Sequence, residues 1–174
     1  MNPTRAEIWA GYSRALRELD AWLASATPED LRRRSNGTKW TNEELLFHMV
    51  FGYMVVRALL PLVRIVSGLP APAGKAFAAV LNAGTRPFDV VNYWGSRAAA
   101  TVFNHRRMAP KLQKTIASLS RQLDRETPGS LSSSMPFPDR WDPFFAPVMS
   151  LNDVYAYPTL HFDFHAKQLS HPPT

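Results

Sequence analysis

Apolar residues recur at three- and four-residue spacing along four long stretches, and no long run alternates apolar with polar in strand fashion. Such stretches can only be helices, each with a stripe to hide from water. The first, over residues 4–24, carries Ile8, Trp9, Tyr12, Leu16, Leu19 and Leu23. The second opens on Thr41 and Glu44, the S/T-x-x-E capping box, and its inner face holds Leu45, His48, Met49, Gly52, Val55, Val56 and Leu59. Pro61 is expected to bend it, and SGLPAPAG to end it by Gly68 or Pro70. A third helical region, residues 89–125, carries Val90, Tyr93, Trp94, Val102, Leu112, Ile116, Leu119 and Leu123; Pro110 is expected to kink or split it. The last, residues 151–169, starts at a Ser150–Asp153 cap and is bent by Pro158, one turn before His161.

Four such stripes within 174 residues pair most economically as one all-α four-helix bundle, a single domain over residues 1–174. The connections before the third and fourth helices are long, which predicts crossover topology rather than an up-and-down meander. The segment TPGSLSSSMPFPDRWDPFFAP holds five prolines, cannot be regular helix, and by its Phe and Trp content reads as a packed loop that lids something.

The chain has no cysteine, which excludes a disulfide framework, a thiolate zinc site and a cysteine nucleophile. The start lacks the apolar core of a signal peptide, and a cytoplasmic location is expected. LLFHMVFGYMVVRALLPLVRIVSGL is long enough to cross a bilayer, yet it carries His48, Arg57, Arg64 and Pro61, so it reads as a buried or interfacial helix, and no membrane partner is expected. A net charge of +6 and a pI near 10 imply affinity for anions, but the basic residues are scattered apart from Arg32–Arg34 and Arg106–Arg107, so no nucleic-acid partner is expected. The apolar excess on the helices is compatible with a homodimer.

Five histidines are present, and HFDFH puts His161 and His165 on one face, one turn apart. Such a pair can converge on one metal ion, but the glutamate of an HExxH zincin is missing. A catalytic zinc wants a third protein ligand and an open position. His48 offers that ligand from the inner face of the second helix. His105 stands beside two arginines, which would repel a dication, and His171 lies in the terminal SHPPT. Only His48, His161 and His165 make an attractive triplet; the bland alternative is three unrelated core histidines. Glu44 could take the free N–H of His48, or merely cap its helix. Asp163, two residues from each histidine of the pair, points away. Trp40, Tyr53, Trp141, Phe144 and Phe145 are either pocket mouth or core.

The succession GTKWTNEELLFHM and then LHFDFHAKQL resembles the DinB-like metalloprotein superfamily. That group includes the metal-binding domain of mycothiol-dependent maleylpyruvate isomerase and the bacillithiol- and mycothiol-dependent S-transferases. Trp40, Thr41, Glu44, Leu45 and His48 match one half of the pattern, and His161, His165, Gln168 and Leu169 the other. The resemblance implies a four-helix bundle whose three histidines hold Zn²⁺, or sometimes Ni²⁺. It also implies a low-molecular-weight thiol, such as mycothiol or bacillithiol, ionised on the metal to attack a small-molecule electrophile as an S-transferase or isomerase. Two other readings stand beside it: a non-catalytic metal- or ligand-binding bundle, and metal-assisted hydrolysis. A blocked fourth position would favour the first. An inward carboxylate within reach would favour the second, and an open position facing a cofactor-sized pocket would favour thiol transfer.

Overall fold

The computed structural model describes residues 3–170, apart from the side chains at 71, 87–89 and 91. In order come α1 (Arg5–Ser25), α2 (Pro28–Arg32), α3 (Asn42–Ser67), α4 (Ala71–Ala83), α5 (Thr85–Val102), α6 (Met108–Arg125), α7 (Pro128–Ser132), β1 (Ser134–Pro136), β2 (Val148–Ser150) and α8 (Leu151–Ala166). Thr4, Thr27, Thr41 and Ser150 each close a full capping box with the acid three residues on, which starts α1, α2, α3 and α8. Each cap supplies about 1 kcal/mol by satisfying amides the helix cannot satisfy itself.

The four long helices form a ring. α3 packs against α8 and α6, and α1 packs against the same two from the other side. Tyr12, Leu19, Leu45, Leu60, Leu112, Leu119 and Tyr155 are fully buried between them. α3 is long and apolar enough to span a membrane by composition alone. Here it is the helix most surrounded by others, because α5 covers it as well.

Four expectations needed correction. The third helical region does break in two, but at residues 103–107; Pro110 sits in the first turn of α6, where no amide partner is lost. The segment after Gly68 starts a new helix, α4, because Pro70 and Pro72 occupy helix-start positions that tolerate proline. The proline-rich loop contains one helical turn, α7, and the antiparallel pair of β1 and β2, with Met135 opposite Met149. Trp9 and Trp94, assigned to apolar stripes, are 43% and 59% exposed.

Pro61 and Pro158 both lie inside continuous helices. Proline removes a hydrogen bond to the preceding turn. In the turn before Pro158, the Tyr155 carbonyl accepts from the Tyr12 hydroxyl of α1 at 2.7 Å, which ties α8 to α1 beside the proline.

Candidate metal centre

α3 and α8 run antiparallel. Arg64, near the end of α3, reaches Tyr155 near the start of α8 (3.1 Å), while His48 of early α3 meets His161 of late α8. The spacing within α8 then places His165 one turn beyond His161. Ring centroids lie 4.8 Å apart for His48 and His161, 4.8 Å for His48 and His165, and 4.5 Å for His161 and His165. One ring nitrogen from each lies within 4.8 Å of the others. His48 and His161 are buried and His165 is half-buried.

The loop before α3 closes over this end of the bundle. Gly37 takes φ 70°, a left-handed turn that favours glycine. The Ser35 amide donates to the Trp40 carbonyl at 3.1 Å. Trp40 is thereby laid on the His48 ring, centroids 4.4 Å apart. Asn42, fully buried, donates to the Asp30 carbonyl at 2.8 Å and accepts from the Ser170 amide at 3.1 Å, tying the start of α3 to the segment after α8.

Partners of the outer nitrogens leave inner lone pairs. His165 Nδ1 lies 2.6 Å from Gln168 Oε1; an amide oxygen only accepts, so Nδ1 carries the hydrogen and Nε2 is free to bind. His48 Nδ1 stands 3.2 Å from Ser96 Oγ, which can accept its hydrogen in the same way. His161 Nδ1 is buried without a partner, because Gly52 presses against it: a Cβ there would lie 2.8 Å away. What remains of His161 is Nε2, 3.1 Å from His48 Nε2. Two nitrogens about 2.0–2.1 Å from one tetrahedral zinc stand about 3.3 Å apart, so the residues fit a shared cation. A shared proton would satisfy two of the three rings; a cation satisfies all three.

Burial holds all three imidazoles below the ordinary histidine range. His48 is pushed down to about 3 by burial and the nearby His165, and His161 lies well below by burial beside His48 and His165. His165 is lowered by burial against the opposing pull of Gln168 and Asp142. Neutral imidazole is the form that binds metal.

A carboxylate joins them. Asp142 Oδ2 lies 4.0 Å from His161 Nε2. It accepts from the Tyr157 hydroxyl at 2.8 Å, while Oδ1 accepts from the Phe144 amide at 2.9 Å. Burial raises this carboxyl above its usual range despite those bonds and His165. His48, His161 and Asp142 stand together in the wall of a cavity of about 370 Å³, otherwise lined mainly by apolar side chains of α3, α4 and the β1–β2 loop.

The remaining candidates fall elsewhere. Glu44 accepts the Thr41 amide at 2.9 Å and pairs with Arg97 at 2.9 Å, so it caps its helix; the acceptor beside His48 is Ser96. Asp163 turns away into a two-pronged pair with Arg14, at 2.8 and 2.7 Å. His105 pairs with Glu43 at 2.8 Å, and His171 lies outside the described residues. Trp141 and Phe145 line the cavity, Tyr53 is core against Tyr12, and Phe144 packs on Phe164. Sequence reasoning missed Asp142, Ser96 and the contact Gly52 makes. Gln168 entered only through the resemblance, although its spacing three residues after His165 is itself a signal.

Fold and site together define an all-α bundle with a largely buried histidine triad that could hold a metal ion, set between α3 and α8. Residues 12–169 match the family model of the DinB superfamily, and the chain belongs to that superfamily. Comparison with curated proteins and with solved structures finds no match.

Proposed function

We propose that the chain is a metal-dependent enzyme in which His48, His161 and His165 hold one Zn²⁺ or Ni²⁺ and a small nucleophile is activated beside them. The carrying observation is the 3.1 Å approach of His48 Nε2 to His161 Nε2, with the cavity directly against both rings. A bound divalent cation supplies Lewis acidity that favours the ionised form of a sulfur or oxygen nucleophile. Ser96 and Gln168 orient two of the rings, and Gly52 gives the third its room. Apolar walls exclude water, which strengthens every charge interaction inside.

The first reading is transfer from a low-molecular-weight thiol, such as mycothiol or bacillithiol, in S-transfer or isomerisation. Superfamily membership supports it, and the cavity against His48 and His161 gives an electrophile an approach to the centre. A blocked approach would have favoured a binding-only role. The second reading is hydrolysis, and Asp142 favours it: Oδ2 is an acceptor placed to hold the hydrogen of an attacking water.

Metal analysis of the purified protein tests the core of the proposal. About one ion per chain is expected in the native protein, and almost none in His48→Ala or His165→Ala. Equal, low metal in all three would sink it. Asp142→Asn then separates the readings: with metal retained, hydrolysis should fall on the order of 10²–10⁴-fold, and thiol transfer far less.

A further inference from the structure

We infer that the cavity is the seat of an apolar substrate, an alkyl chain or aryl ring with a single polar group directed at the histidine centre. The inference deepens the metal-enzyme reading by naming the chemistry of the electrophile.

The wall decides it. At about 370 Å³ the cavity is near the lower end of the range for small-molecule sites, roughly 300–1,000 Å³. Its lining includes Phe51, Val55 and Leu59 of α3 with Phe77 of α4 and Phe137 and Phe145 of the β1–β2 loop. No lysine or arginine is among the described lining residues. Besides the two histidines, the side-chain hydrogen-bonding groups are those of Asn92, Asp142, Tyr157 and Trp141. Tyr157 already donates to Asp142 at 2.8 Å, and Trp141 Nε1 to the Leu81 carbonyl at 2.8 Å.

A hydroxyl-rich or multiply charged molecule therefore enters at a heavy loss. Each hydroxyl buried without a partner weakens binding on the order of tenfold or more. Each methylene taken from water strengthens it about fourfold. In a thiol-dependent reaction the cavity consequently holds the electrophile, and the polar body of a sugar thiol stays outside it. The polar groups of the wall cluster with the reactive end: Asp142 and His161 lie 4.0 Å apart. A ligand that buries its carbon skeleton along α3 has its one polar group beside both.

The test is a homologous series of hydroxamates, acetyl to octanoyl, titrated calorimetrically into zinc-loaded protein, with gluconohydroxamate as the polyhydroxylated match for the hexanoyl member. Affinity should climb about three- to fourfold per methylene, and gluconohydroxamate should bind no better than the acetyl compound. Leu59→Asn, at a 39% exposed position on the cavity side of α3, should flatten the climb while helix content and zinc uptake stay unchanged. A flat series, or tighter binding of gluconohydroxamate than of its hexanoyl match, overturns the inference. Titration of metal-free protein with 1-butanol, 1-hexanol and 1-octanol, followed by tryptophan fluorescence, separates the two claims. If zinc uptake fails but the alcohols show the same climb, the metal reading falls and the apolar seat stands. If zinc is taken up and neither series climbs, the apolar seat falls alone.

Discussion

His161 owes its position to an absence on the neighbouring helix. Gly52 lets the imidazole come close against α3, and a Cβ there would come within 2.8 Å of Nδ1. Gly52→Ala must therefore move the ring or the helix. Overpacking of this kind costs about 1–3 kcal/mol, and a displaced ligand should weaken metal binding by tenfold or more. Denaturant melts and competitive chelator titration check the two halves; unchanged metal affinity would mean that the ring has another place to sit. Ser96→Ala is gentler. It strips the 3.2 Å partner from His48 Nδ1, so metal affinity should drop about 10–100-fold with little loss of stability. The histidine triplet was legible because spacing along α8 and an apolar face on α3 are local properties. Ser96 and Asp142 were not, since each reaches the centre through tertiary packing that no local period encodes. Glu44 shows the same limit from the other side: its cap was visible in the sequence, and its ion pair with Arg97 was not.

At the scale of the elements, caps and stripes carried most of the information. Thr41–Glu44 and Ser150–Asp153 marked the starts of α3 and α8, and the same box at Thr4–Glu7 was there to be read. Prolines misled where they sit at helix starts, as in α4 and α6, because a residue type that breaks a helix interior is welcome in its first turn. The far ends of three helices meet in a polar knot that the stripes do not announce. Glu126, just past α6, accepts from Arg64 of α3 (Nε at 3.1 Å) and from the Tyr155 hydroxyl of α8 (3.0 Å). Burial would raise its carboxyl, but hydrogen bonds from Arg64, Ser130 and Tyr155 outweigh that and hold it below the usual range. A carboxyl lowered on folding adds stability above its unfolded value, about 4.3, and that contribution fades as pH falls through the lower folded value. Glu126→Gln should thus lower the denaturant midpoint at pH 7 and shrink the acid-side loss of stability. Parallel pH profiles for the two proteins would show that the knot contributes nothing to the pH dependence.

Across the whole molecule, four stripes predict a bundle but not its ring order, since any two apolar faces can pair and only the assembled loops and turns choose. In the order adopted, α3 and α8 are adjacent and antiparallel, with a polar coupling near each end and a third, Tyr53 to Thr159 at 3.1 Å, between them. Arg64 and Tyr155 meet at one end; His48 and His161 meet about 24 Å away along α3, at a rise of about 1.5 Å per residue. The second coupling is weak without a cation, for it brings buried, neutral imidazoles together and leaves His161 Nδ1 unpartnered. A cation among them would cross-brace early α3 to late α8. Anything that binds only the folded state stabilises it by mass action, so free metal at about a thousand times its dissociation constant adds about 4 kcal/mol. For a chain of this size that raises Tm by roughly 8–16 °C. The gain has an address: amide exchange should slow most in the first turns of α3 and the last turns of α8, and far less near Arg64 and Tyr155. In His48→Ala, the same metal should leave both Tm and exchange as they were. A uniform slowing across all helices, or a rise in Tm that survives the loss of His48, would put the cation somewhere other than between these two helices.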